Sequence, residues 1–254
     1  HDFREIRGTA ERRPGSRREG LQAVPVKKRI SRAAGVFWRF RYHLFSTLVV
    51  LAFWNTALIK PFRVFVVMVH EVCHAGAALL TGGEVVEIRT AWDESGHTLT
   101  RGGIFPIISS AGYVGSALLG ALLIYAGCFP QVQRLALLFI GAVTMGMTIW
   151  YTPAGAGDFY FGIFGGMVFV LLAIKSQRAG TAGAVWLGVM LCIYSLHDFR
   201  TDLWMYTEQT DAGILAAYWG APPLAYPIAF TWVAVSVYAM YKSLLALVRK
   251  ERKN

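Results

Sequence analysis

The sequence is poor in charged residues. They make up 16% of the 254 residues, whereas a soluble domain carries about 25%, and hydrophobic residues make up 55%. This composition excludes a disordered chain and an ordinary soluble enzyme. Cysteine is scarce as well. The three cysteines are odd in number and each lies in an apolar stretch, so the sequence predicts no disulfide framework.

The charges that are present lie mostly at the two ends. Residues 1–43 hold twelve Lys or Arg and four Asp or Glu, and 249–254 is also basic, while the body between them is nearly neutral. Basic ends beside apolar segments are typical of membrane-flanking charge, so we expect a lipid bilayer as partner and no nucleic acid. We expect a basic, disordered cytoplasmic arm (1–43) without a signal peptide, a membrane-embedded domain (44–248) and a basic tail (249–254).

Long apolar runs dominate the body. They cover 44–59, 61–81, 106–128, 132–151, 158–174, 182–199 and 225–247. A membrane-crossing helix needs about 20 such residues, and none of the runs alternates as a strand would. We therefore predict an all-α polytopic membrane protein with six crossings, in which 44–59 is short or re-entrant. Seven crossings is the alternative. With six crossings, the distribution of Lys and Arg places both termini in the cytoplasm.

A polar stretch, 84–105, interrupts the apolar runs. Val85 and Ile88 belong to a segment that fits a strand, 93–96 reads Asp-Glu-Ser-Gly, and 98–100 can form a returning strand. Turn residues between two such segments indicate a hairpin. The sequence therefore predicts one small β-hairpin directly after the second apolar run.

Two histidines and a glutamate lie in the middle of the second run. On a helix, His70 and His74 share one face and can reach one metal ion, and Glu71 points close enough to take a proton from an attacking water. A charged group at membrane depth costs about 3 kcal/mol, and a divalent metal would compensate for it. The alternative is a histidine pair bonded to neighbouring helices beside a neutral Glu71. Cys73 points away from that face and is expected to be a small apolar filler.

A catalytic zinc ion takes three protein ligands, so a third must come from elsewhere in the chain. The candidates near the apolar body are Asp198, Asp202, Asp211 and His197. Either Thr210 or Asp211 could instead simply cap a short helix, and spacing does not choose among these residues. Asp158 is expected to begin a helix, and His97 to be solvated in the hairpin.

Four elements, in chain order, resemble the site-2-protease type of intramembrane zinc metallopeptidase, in its M-fifty-B-like branch. They are the His-Glu-x-x-His helix followed by Leu-Thr-Gly-Gly at 80–83, a polar hairpin that ends in Arg-Gly-Gly at 101–103, the glycine-containing helix at 111–120, and Thr-Asp-Ala at 210–212 before a proline-containing entry to the last helix. The resemblance covers about 70–232, most of the apolar body.

The resemblance implies a zinc-dependent protease that cleaves a transmembrane protein substrate within or near the membrane. His70 and His74 would be zinc ligands, Glu71 the general base and Asp211 the third ligand. Asp198 stays as the reserve third ligand, because the chain lacks the Leu-Asp-Gly context of the better-known site-2 proteases. The glycine helix would pack against the metal helix.

Other functions fit parts of the pattern. The alternative is a catalytically inactive membrane metal-binding protein that acts as a transporter or a partner-binding scaffold. A carrier needs ligands but no general base, so Glu71 discriminates against it. A second alternative is a zinc hydrolase that acts on lipid amides, although its metal ligands would be scattered along the chain and not held in one His-Glu-x-x-His turn. In a protease, the edge of the 84–101 hairpin could accept an unwound substrate strand by β-augmentation.

Overall fold

The structure is a computed structural model that describes residues 26–127, 129–205 and 209–251. The chain divides into two compact units, 1–39 and 40–254. Most of the predicted arm, 1–25, lies outside the described residues, as does the end of the predicted tail, 252–254. The first helix, α1, spans Val26–Phe53, so the described part of the predicted arm is helical.

The remaining elements are mostly helices. They are α2 (Lys60–Leu80), β1 (Glu84–Thr90), β2 (Gly96–Arg101), α3 (Phe105–Ser110), a π-helical turn (Ala111–Gly115), α4 (Ser116–Ala126), α5 (Pro130–Tyr151), α6 (Gly157–Lys175), α7 (Gln177–Met205), α8 (Asp211–Tyr218), a 3₁₀ turn (Pro222–Leu224) and α9 (Ala225–Glu251). The predicted all-α fold with one small hairpin after the metal-motif helix is confirmed.

Among the described residues, six helical stretches are long and apolar enough to cross a membrane. They are Lys60–Leu80, Phe105–Ala126, Pro130–Tyr151, Gly157–Lys175, Gln177–Phe199 and Pro222–Arg249. The apolar part of α1, Phe40–Phe53, is shorter than the roughly 20 residues that a crossing needs. The predicted short segment at 44–59 therefore corresponds to the end of α1 and the turns that follow it.

Prolines and polar caps set the ends of the helices near the site. A proline lies in the first turn of α2, α3 and α5, where its missing N–H removes no helical hydrogen bond. At the other end of α2, the Thr81 hydroxyl donates to the carbonyl of Ala77 at 2.8 Å. Gly82 follows with a φ of 80°, a left-handed conformation that glycine adopts easily. The chain therefore turns sharply into β1.

The hairpin folds back along α2. Its strands pair antiparallel, with Ile88 opposite Thr98. Near the end of α2, Gly83 lies so close to Gly102 that a Cβ on it would come within 2.9 Å of the Gly102 carbonyl carbon. At the turn, Glu94 pairs with Arg63 in the first turns of α2, at 2.9 Å. The hairpin therefore follows nearly the whole helix, including the turn that carries the histidines.

The main core lies between α2, α5, α6 and α7. Its buried residues include Val66 on α2, Leu137 on α5, Phe169 on α6 and Leu187 on α7. The α4 and α7 helices approach closely because Gly120 has no side chain: a Cβ there would lie 3.0 Å from the carbonyl oxygen of Gly188. This packing buries most of α2, including Glu71 and His74 in its polar middle turn.

Candidate metal centre

The middle of α2 presents two imidazoles to the same point. His70 and His74 are one helical turn apart, and their Nε2 atoms are 3.0 Å from each other. The two rings meet edge to face, with centroids 4.8 Å apart. The predicted shared face is therefore present, and both nitrogens are available to one ion.

The tautomer of His74 is determined by α3. The Nδ1 atom of His74 lies 2.6 Å from the carbonyl oxygen of Ile108. A carbonyl only accepts hydrogen bonds, so Nδ1 must carry the proton and donate it. The lone pair of Nε2 then points toward His70 and is free to bind a cation, an arrangement typical of metal-binding histidines.

The α8 helix brings a carboxylate to the same point. Thr210 caps this helix, because its hydroxyl accepts from the Gly213 N–H at 3.1 Å. The carbonyl of Asp211 accepts from the Ser109 hydroxyl at 2.8 Å, which ties α8 to α3. The Asp211 side chain is therefore not used as the cap, and its Oδ2 lies 3.1 Å from the Nε2 atoms of both His70 and His74.

The three residues suit a metal ion. The ligand atoms of His70, His74 and Asp211 are 3.0–3.1 Å apart, close to the separation of about 3.3 Å expected for a tetrahedral ion with bonds of about 2 Å. Two imidazoles and a carboxylate are a donor set that zinc accepts. Within the described part of the chain, this is the one group of three His, Cys, Asp or Glu residues that could hold a metal ion.

A glycine leaves room beside these atoms. A Cβ on Gly112 would lie 2.3 Å from the Nε2 of His70 and 2.3 Å from that of His74. A side chain there would therefore crowd the space beside both Nε2 atoms. Gly112 lies in the π-helical turn Ala111–Gly115, and such turns recur at functional sites.

The next glycine of this turn packs against the metal helix. A Cβ on Gly115 would contact Cys73 at 3.1 Å. The predicted packing of the glycine helix on the metal helix is therefore confirmed, and Cys73 lies outside the group of candidate ligand atoms. The ring of Tyr113 stands edge-on to His70, with centroids 5.0 Å apart, and stacks on Trp232.

An open cavity of about 620 Å³ gives access to the site. Its lining includes the carboxylates of Glu71, Asp93, Glu94, Asp198 and Asp211, and no Lys or Arg of the described residues lines it. The cavity is therefore acidic and attracts cations.

The other sequence candidates lie outside the three-residue group. Asp198 and His197 line the same cavity, but neither supplies an atom to the group. Asp202 is on α7, and its side chain lies outside the described residues. His97 is exposed, as predicted. Asp158 is in the first turn of α6, where it binds Arg89 of the hairpin at 2.8 Å.

Two functional contacts were not predicted from the sequence. One is the Ile108 carbonyl, a backbone atom that no residue type reveals. The other is Thr98, whose hydroxyl lies 2.8 Å from Glu71 Oε2. Alternation along the predicted strand would have placed Thr98 on the face opposite its neighbours, but only the docking of the hairpin on α2 brings it to Glu71.

The fold and the site together define a polytopic membrane protein with a candidate His/His/Asp metal centre. The Peptidase M50B-like family matches residues 44–243, which is most of the chain and contains every residue of the centre. The chain therefore belongs to this family and carries a membrane metallopeptidase domain of the site-2-protease type. No curated protein and no solved structure matches the chain.

Proposed function

We propose that the protein is a zinc-dependent protease that hydrolyses peptide bonds of a membrane protein substrate within or next to the bilayer. The single observation that carries the proposal is the convergence of His70, His74 and Asp211 beside Glu71 in an open, acidic cavity. A bound Zn²⁺ would be held by these three residues, and it would supply Lewis-acid activation of the attacking water and of the scissile carbonyl.

The protein's own residues handle the proton. Glu71 lies in the wall of the cavity and is 5% exposed. Its carboxylate takes the proton from the attacking water and returns it to the nitrogen of the departing amine. The Nδ1–H of His74 stays hydrogen-bonded to the Ile108 carbonyl oxygen, which keeps that imidazole oriented throughout the reaction.

The surroundings of the site favour a substrate from the membrane. His70, Glu71 and His74 lie on one of six helices that are long and apolar enough to cross a bilayer. A substrate helix must unwind before its peptide bonds can be attacked. The hairpin along α2 offers strand edges to which an unwound segment could add. An even number of crossings also puts the two ends of the six-span region on one side, which we assign to the cytoplasm from the Lys and Arg distribution.

Purified protein in detergent tests the proposal. A casein labelled to self-quenching with fluorescein serves as the probe, since an unfolded chain presents peptide bonds without a helix to unwind. We expect about one zinc per chain and release of fluorescence in the parent. Glu71→Gln should keep the zinc and lose cleavage by a factor of at least about 100, because the amide cannot accept the proton.

The controls separate the competing functions. Glu87→Gln makes the same chemical change at a partly buried carboxylate of β1, outside the candidate metal centre, and should retain both zinc and cleavage. Stoichiometric zinc without cleavage in the parent would favour the partner-binding scaffold. Equal cleavage by the parent and Glu71→Gln would contradict the assignment of the general base.

A further inference from the structure

The second strand of the hairpin lies against Glu71. Along β2, His97 and Leu99 are exposed, whereas Thr98 and Thr100 are partly buried. Successive side chains of a strand point to opposite faces, so Thr98 and Thr100 share the face that packs on α2. Their cross-strand neighbours, Ile88 and Val85, are both buried on that same face.

Thr98 binds the glutamate directly. Its hydroxyl oxygen is 2.8 Å from Glu71 Oε2 and 3.0 Å from the Glu71 carbonyl oxygen. Both partners are acceptors, so the hydroxyl is the donor, and its one proton lies between Oε2 and the carbonyl oxygen. A hydrogen bond to a charged group is stronger than one between neutral groups, which makes this contact suited to fixing the side chain.

Gly96 confines the other carboxylate oxygen. A Cβ on Gly96 would lie 2.6 Å from Glu71 Oε1 and 2.9 Å from Val67 Cγ1. The start of β2 thus contacts Oε1 while Thr98 bonds to Oε2. No hydrogen bond to Oε1 is formed by the residues that the structure describes, so this oxygen keeps its lone pairs.

We infer that Thr98 is a positioning residue for the general base, an inference that rests on the proposed function. The hydroxyl of Thr98 occupies Oε2 and restrains rotation of the carboxylate, which leaves Oε1 to take and return the proton. The hairpin is then part of the catalytic apparatus through one side chain, in addition to any contact that its edges make with substrate. Misplacement of a catalytic group by about 1 Å can cost roughly hundredfold in rate.

Three variants of β2 test the inference with quenched casein. Thr98→Val keeps the shape and removes the hydroxyl, so kcat should fall roughly ten- to hundredfold with KM and zinc content unchanged. Thr98→Ser restores the hydroxyl and should recover most of the rate. Thr100→Val makes the same change on the same face of the same strand, without a bond to Glu71, and should stay within about twofold of the parent. Normal turnover by Thr98→Val would overturn the inference.

A second background separates positioning from a structural role. In Glu71→Asp the side chain is one methylene shorter, so the carboxylate no longer reaches the Thr98 hydroxyl. Adding Thr98→Val to this variant should therefore lower kcat by less than about twofold. An equal loss in both backgrounds would show that Thr98 acts on the fold and not through Glu71, and would overturn the inference.

The same experiment distinguishes the two levels of the proposal. A parent whose zinc-dependent cleavage depends on Glu71, combined with an unaffected Thr98→Val, contradicts the positioning role alone. A parent that binds zinc and cleaves nothing contradicts the proposed function and the inference together.

A stability measurement tests the contact independently of activity. Thr98→Val should lower the melting temperature less in the Glu71→Ala background than in the parent, and equal shifts would contradict the contact itself.

Discussion

Two membrane-crossing helices of nearly equal hydropathy have opposite surroundings. Over an 18-residue stretch, α2 and α9 have mean hydropathies of 1.5 and 1.4. Within that stretch, 67% of α2 is buried inside the protein, but only 22% of α9. Hydropathy therefore identifies which segments cross a membrane but not which of them face protein. The polar residues make that distinction, because α2 holds His70, Glu71 and His74 at its centre.

The same division extends to the whole fold. The inner helices are α2, the α3–α4 stretch and α7, in which 56–67% of the apolar stretch is buried. The outer helices are α5, α6 and α9, in which 22–33% of it is buried. All three inner helices contribute to the site or its cavity: α2 gives the histidines, the turn before α4 gives Gly112, and α7 gives Asp198. The outer helices leave most of their residues on the surface of the protein, where we expect the lipid to lie.

A single methyl group on an inner helix should have the largest effect. Gly112→Ala places a Cβ 2.3 Å from both histidine Nε2 atoms, in the space that an ion would take. We expect zinc content to fall from about one per chain to near zero, with complete loss of cleavage. Metal analysis of the purified variant measures the change.

The matched control lies on an outer helix. Gly146 is in α5, and a Cβ there would meet nothing within 4 Å. Gly146→Ala should retain full zinc content and cleavage. If the Gly112→Ala variant still holds about one zinc per chain, the metal site does not lie where the two imidazoles converge.

The next largest effect should distinguish two inner carboxylates. Asp211→Asn weakens a direct contact with both histidines, so zinc affinity should fall by at least about 100-fold. Asp198→Asn makes the same change in the same cavity but outside the group of ligand atoms, and affinity should stay within about threefold. Competition with a fluorescent zinc chelator measures both. The reverse order would make Asp198 the third ligand.

The inner site shows how far sequence patterns reach. The spacing of His70 and His74 within one apolar helix was sufficient to predict a shared face, because the geometry of a single helix is known in advance. The third residue was different. Asp211 is 141 residues from His70, and no periodicity relates side chains on separate helices, so spacing does not choose between Asp198 and Asp211. Only the family resemblance favours Asp211, with Asp198 in reserve.

The fold was predicted to a similar extent. Apolar runs and turn residues indicated six crossings and a hairpin, since both depend on local composition. The docking of the hairpin along α2 depends instead on side chains far apart in the chain, such as Arg63 with Glu94. The contact of Thr98 with Glu71 follows from that docking, so it could not be predicted without it.

A third prediction compares the two sets of helices by packing alone. Leu187 on α7 is 1% exposed and belongs to the main core, so Leu187→Ala should reduce the free energy of unfolding by about 2–5 kcal/mol. Leu171 on α6 is 50% exposed. Because lipid tails are as apolar as leucine, Leu171→Ala should cost less than about 0.5 kcal/mol.

Unfolding in detergent, followed by tryptophan fluorescence, measures both leucine variants. Zinc content should be unchanged in Leu171→Ala. A loss at Leu171 as large as that at Leu187 would mean that α6 is covered by protein and does not belong to the outer set.

The smallest effect concerns the place where an outer helix contacts the hairpin. Asp158, on α6, accepts from the Thr90 N–H at 3.2 Å and from Arg89 at 2.8 Å. Asp158→Ala leaves the buried Thr90 N–H without this acceptor, which should cost about 1–3 kcal/mol. Glu87→Gln is the control. Glu87 pairs with the same Arg89 at 3.2 Å, but both side chains are partly exposed, so this variant should change stability little. If Asp158→Ala also lowers cleavage while zinc content stays at the parental level, α6 contributes to function by holding the hairpin against α2. If stability falls and cleavage is unchanged, the outer helices act only as lipid-facing support, and the hairpin is held in place by its contacts with α2 alone.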